Sequence, residues 1–192
     1  MRGWKLPALL LLAAIVVTPA TAVAGGANQI VQSSATAGNP TVIRSATQWA
    51  PFGGSDANSA NIASATSTDC SGCRAVAVAF QAIVLTHAPN VVTPSNVAAA
   101  ANGGCNGCDS FAFAYQDVIT TDGSATLTST GIALVHEINA RADAIAQSNV
   151  PDAQLEAELK VLAAEFKADV EQNLVIHGTT SVSDSTYVQT EG

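Results

Sequence analysis

Two Cys-x-Gly-Cys turns set 35 residues apart constrain this chain most, because their flanks repeat with them. Asn61-Ile62-Ala63-x-Ala65 falls on Asn96-Val97-Ala98-x-Ala100. Cys70-Ser71-Gly72-Cys73 falls on Cys105-Asn106-Gly107-Cys108, and Ala77-x-Ala79-Phe80-Gln81 on Ala112-x-Ala114-Tyr115-Gln116. Nine of the 25 positions in 61–85 are identical in 96–120, which marks a duplicated unit rather than a short motif met twice. Gly131-Ile132-Ala133 occupies the next register and reads as a decayed third start, with Ala140 and Asp143 where cysteines would stand.

Within a unit, Thr93-Pro94-Ser95 is a helix-opening signal, and the alanine-rich stretch Asn96 to Ala101 would continue a short helix. Asn102-Gly103-Gly104 would stop it, and Cys-x-Gly-Cys then makes a turn. The apolar segments 74–86 and 109–121 follow. Their Val-Ala-Val-Ala-Phe alternation suits a strand buried on both faces, while their alanine content and 13-residue length suit a buried helix. Alanine is the best helix former and is depleted in strands, so the expectation leans to helix. Phe80-Gln81 and Tyr115-Gln116 recur at matched places. A buried glutamine needs a hydrogen-bond partner, so a contact between the repeats is their expected role.

Residues 25–58 are polar and rich in Gly, Ser, Ala, Asn and Thr, with short β-type pieces at Gln29–Ser33 and Thr41–Ser45. Residues 129–148 predict an amphipathic helix with Ile132, Val135, Ile138, Ala142 and Ile145 on one face. Asn149-Val150-Pro151 breaks it. A second helix then runs to about Val175 on Leu155, Leu159, Leu162, Phe166, Val170 and Leu174. So short a break implies an antiparallel hairpin. The expected fold is therefore mainly α, with α+β as the alternative: a tandem repeat over 59–121, a helical hairpin over 122–176, and a loose tail over 177–192.

Residues 1–24 read as a secretory signal peptide. Arg2 and Lys5 precede an apolar run from Leu6 to Val17, and Ala22-Val23-Ala24 forms an A-x-A cleavage site. The run is about a dozen residues, too short for a spanning helix of roughly 20. The expected location is extracytoplasmic, with no integral membrane segment after cleavage. The chain carries 7 basic and 15 acidic residues, a formal charge of −8. Scattered cations on an acidic chain exclude a nucleic-acid partner; an unknown protein or cell-surface partner is expected instead.

An oxidising compartment makes disulfides the first reading of Cys70, Cys73, Cys105 and Cys108, in any of three pairings. In the chain-entropy model a local ring such as Cys70–Cys73 contributes roughly 2 kcal/mol and a cross-link such as Cys73–Cys108 roughly 4 kcal/mol. Two further chemistries use the same residues. One is a redox-active dithiol at a helix N-terminus, opposed by Asp69 and Asp109 beside the thiols. The other is structural zinc in two Cys-x-x-Cys loops, for which the 31-residue gap is long. His136-Glu137 begins the zinc-protease pattern His-Glu-x-x-His, but Ala140 stands where the second ligand belongs. His87 and His177 read as end-of-element residues, and the acidic residues at 156, 158, 165, 169 and 171 as a solvated helix face. No catalytic residue, resident metal or cofactor is expected.

The stretch from Cys70 to Gln81, the segment Val92-Thr93-Pro94-Ser95-Asn96-Val97-Ala98, and the stretch from Cys105 to Thr121 together resemble an uncharacterised family of exported, actinobacterial-type proteins. Its members pair Cys-x-x-Cys with an alanine-rich Phe/Tyr-Gln segment and a charged helical tail. The resemblance covers roughly residues 60–175 and implies an exported bacterial protein. Some members bear the label of a peptide zinc metalloprotease. This chain has neither His-Glu-x-x-His nor a multi-span membrane region, so the label does not transfer and the resemblance supplies no catalytic residues. The expected function is a secreted, non-enzymatic structural or binding protein of the bacterial cell surface. A thiol–disulfide oxidoreductase is the first alternative and a zinc-binding module the second.

Overall fold

The computed structural model describes residues 27–86, 90–178 and 181–191. The predicted leader, 1–24, and His87 lie outside them. Six long strands come first: β1 (Gln29–Thr36), β2 (Thr41–Phe52), β3 (Asp56–Thr68), β4 (Arg74–Leu85), β5 (Val91–Gly103) and β6 (Asp109–Thr121). They alternate between two sheets. β1, β3 and β5 form one parallel sheet, and β2, β4 and β6 form another. A chain that steps from sheet to sheet while each sheet stays parallel winds as a coil. The described residues form a three-turn β-solenoid whose coils are β1–β2, β3–β4 and β5–β6.

The 35-residue repeat is the length of one coil: Asp56 lies opposite Val91, and Arg74 opposite Asp109. The first coil is slightly shorter, with Gln29 opposite Asn61 and Thr41 opposite Arg74. The polar segment 25–58 is thus largely a third copy at an offset of 32–33 residues, too diverged to show in a fixed slide. The expected third start at Gly131 lies instead inside a helix.

The mainly α expectation is therefore overturned, and with it the helical reading of 74–86, 96–101 and 109–121. Alternation decides. In β4, Ala75, Ala77 and Ala79 point between the sheets, where they join Ala35, Ala63, Ala65, Ala112 and Ala114. Val76, Val78 and Phe80 point the other way, onto the helices. Alanine is present because little else fits: Ser33 Oγ donates across the interior to the Val76 carbonyl at 2.7 Å. A side chain as short as serine can bridge the sheets only where they lie close. Pro94 is tolerated because β5 is the edge of its sheet.

After β7 (Ser124–Leu127), α1 (Ser129–Gln147) and α2 (Asp152–Asn173) pack as a hairpin on the outer face of the β2–β4–β6 sheet, close to the span their apolar spacing predicts. Thr128 caps α1, its Oγ1 accepting from the Gly131 amide at 3.0 Å. Leu155, Leu159, Leu162, Phe166 and Val170 are buried against Phe80, Phe113 and Tyr115, with Phe166 edge-on to both Phe80 and Tyr115. The β4–β6 region is thus buried on both faces, as parallel strands with near-continuous apolar runs usually are. β8 (Leu174–His177) pairs with β7, and β9 (Ser181–Glu191) adds antiparallel to β6. The expected loose tail over 177–192 is corrected for 181–191, which form a strand. It has no apolar stripe to announce it, and backbone pairing to the exposed edge of β6 is what orders it.

Candidate functional site

The four cysteines form one corner of the solenoid, where the chain turns from the first sheet into the second. In both coils the turn needs two left-handed residues. Asp69 (φ 51°) and Gly72 (φ 65°) occupy one turn, and their repeat mates Gly104 (φ 62°) and Gly107 (φ 64°) the other. Glycine in Cys-x-Gly-Cys is thereby explained, since a side chain there would be strained. The turns stack as the strands do. The Gly72 amide donates to the Asn106 carbonyl at 3.0 Å, the Asn106 amide to the Cys70 carbonyl at 3.2 Å, and the Asp109 amide to the Cys73 carbonyl at 2.8 Å.

Each pair is closed locally, Cys70 to Cys73 and Cys105 to Cys108, with Cα–Cα separations of 6.1 and 5.7 Å. Both fall within the normal disulfide span. Stacking of the coils brings the pairs together: Cys70 Sγ lies 3.6 Å from Cys105 Sγ and 3.7 Å from Cys108 Sγ. Cys73 is buried and the other three are half-buried. Next to the corner, Arg74 Nε stands 3.4 Å from Asp109 Oδ2, tying consecutive coils, and Arg74 Nη1 donates to Asn149 Oδ1 between the helices. The cysteines open strands rather than helices, so the helix-terminal activation imagined for a dithiol does not operate here.

Other sequence candidates are scattered. His136 and Glu137 are exposed on α1, as is Ala140, and His177 is exposed at the end of β8. Glu165 pairs with Arg141 across the hairpin, and this contact is what chiefly raises the Arg141 pKa. Partial burial, then Glu165 and Glu137, hold the Asp169 carboxyl above its ordinary range. On the acidic face of α2, Glu156 pairs with Lys160 and Lys167 with Glu171, each one turn apart.

One feature escaped sequence reasoning, a cleft of about 730 Å³ at the edge of the first coil, lined by Val31, Gln32, Val42, Arg44, Ser45 and Asp143. The contact expected between the matched glutamines Gln81 and Gln116 forms, and it is one step in a pair of amide ladders in the interior. Gln116 Nε2 donates to Gln81 Oε1 at 2.8 Å, and Gln81 Nε2 to Gln48 Oε1 at 3.0 Å. Asn61 Nδ2 donates to Asn96 Oδ1 at 2.9 Å and crosses to the Tyr115 carbonyl at 2.8 Å. Glutamine at 48, 81 and 116 was the available signal for a third coil. No family model matches the chain, and comparison with curated proteins and with solved structures finds no significant match.

Proposed function

We propose that this chain is an extracytoplasmic, non-enzymatic structural or binding protein, a short β-solenoid clasped at one corner by disulfides. The observation that carries this reading is the stacking of two identically built Cys-x-Gly-Cys turns as successive coil corners. A reactive centre needs one activated thiol, whereas a brace can be doubled, and two of the three coil corners carry it; the first, between Thr36 and Thr41, has no cysteine. The face available for a protein or cell-surface partner is the outer side of the β1–β3–β5 sheet, which no helix among the described residues covers. Ile30, Ile62 and Val97 form one cross-strand row on it, with Ile30 and Val97 39% and 41% exposed. Among the described residues no helix is long and apolar enough to cross a membrane.

Cell fractionation, thiol counting and non-reducing peptide mapping test the reading together. The expected product is extracytoplasmic and has four blocked thiols, in peptides joined 70–73 and 105–108. Free, readily oxidised thiols with catalytic reduction of a disulfide substrate would replace the brace with the oxidoreductase alternative.

A further inference from the structure

The 31 residues between Cys73 and Cys105 argue against a four-cysteine metal site only while the chain is viewed as a line. In the fold they and one four-residue Cys-x-Gly-Cys turn make up one 35-residue coil, and the gap closes. The ligand atoms of Cys70, Cys105 and Cys108 all lie within 4.8 Å of one another, and Cys73 is bonded to Cys70. Tetrahedral zinc with Zn–S bonds of about 2.3 Å sets its sulfurs about 3.8 Å apart. The cross-coil separations of 3.6 and 3.7 Å already match that edge. The two bonded pairs have to open and the Cys73 thiol, which lies outside that close group, has to swing toward the Cys105–Cys108 turn, by side-chain rotation on turns whose backbones are held by the inter-coil ladder.

We propose that the reduced form of this corner binds one thiophilic divalent cation of the zinc class between the two coils, so that a metal replaces the covalent clasp. The balance is simple. An external dithiol delivers two electrons and two protons to each disulfide and is itself oxidised to a disulfide. The four thiols then bind the cation and release up to four protons. The site goes beyond the structural reading above, because it belongs to the other redox state of the same residues. Peptide mapping of the oxidised protein and metal titration of the reduced protein fail independently.

The test uses the full chain, reduced, freed of reductant and titrated anaerobically with Co²⁺. The expected result is one equivalent bound, with the intense visible bands of tetrahedral thiolate cobalt, displaced by Zn²⁺. Cys70→Ser and Cys108→Ser should each weaken binding by more than about 100-fold. Far-UV circular dichroism is recorded alongside. Absence of the bands from a folded, reduced protein overturns the proposal, and so do bands that persist when all four cysteines are serine. If the reduced chain unfolds, Zn²⁺ must restore its β spectrum at one equivalent; failure to do so is equally decisive against the site.

Discussion

The Gln48–Gln81–Gln116 ladder offers a sharp test of the solenoid, because its middle rung has a partner on each side. Gln81 is fully buried and Gln116 is 1% exposed. Gln81→Leu keeps the volume and removes three hydrogen bonds: one accepted from Gln116, and two donated, to Gln48 Oε1 and to the Ala27 carbonyl. It leaves the Gln116 amide and the Gln48 oxygen without their partners. A buried orphan costs about 1–3 kcal/mol, and Gln48, only half-buried, falls at the low end. The added apolar burial of leucine offsets part of this, so a net loss of about 2–4 kcal/mol is expected. At about 2–4 °C per kcal/mol for a chain of this size, Tm should fall by roughly 5–15 °C. Gln116→Leu alone orphans Gln81 Oε1 and should cost about 1–3 kcal/mol. In the double variant both partners of that contact are gone together. The double loss should therefore be smaller than the sum of the single losses by about 1 kcal/mol or more. Urea unfolding followed by circular dichroism measures all three. A Gln81→Leu loss below about 0.5 kcal/mol, or additivity within about 0.5 kcal/mol, would refute the ladder.

Phe80→Ala empties the junction between sheet and helices, where the ring lies 5.7–6.0 Å from those of Phe113, Tyr115 and Phe166; a loss of about 3–5 kcal/mol is expected in urea titration. Ala77→Leu should cost more than about 2 kcal/mol by overfilling the space between the sheets, whereas Val78→Leu on the helix side should cost less than about 1.5 kcal/mol. Equal effects in the two variants would contradict the assigned faces. Asp169→Asn should stabilise the protein at neutral pH. The raised carboxyl binds its proton more tightly folded than unfolded, so its ionisation weakens the fold as pH rises through the folded value. The gain should vanish well below the ordinary value of 3.8, where both states are protonated, and thermal melts at the two pH values decide it. Thr128→Ala should cost about 1 kcal/mol by uncapping α1, read from the same urea titrations.

The helices were legible in the sequence because a 3.6-residue apolar stripe has one interpretation when one side faces water. The coil length was legible too, since both Cys-x-Gly-Cys corners keep their glycine and their spacing. The strands between the corners were not, and the reason is energetic. Alanine favours helix, but the β-propensity scale spans only about 1 kcal/mol per residue, so the three inward alanines of β4 oppose a strand by at most about 3 kcal/mol. Val76, Val78, Phe80, Ile83, Val84 and Leu85 of the same strand are essentially fully buried. At about 1.5–3 kcal/mol each, that burial amounts to roughly 9–18 kcal/mol and outweighs the local preference several-fold. Propensity weighed each alanine as though it stood in solvent. Its actual role is set by a neighbour more than thirty residues away, whose own small side chain leaves room for a methyl group and little more. The corner shows the same dependence on distant partners: Cys70 gains its neighbours Cys105 and Cys108 only when a whole coil has closed between them. A sequence reading that counts residues between ligands sees a gap, while the fold converts that gap into a single inter-strand step of about 4.8 Å.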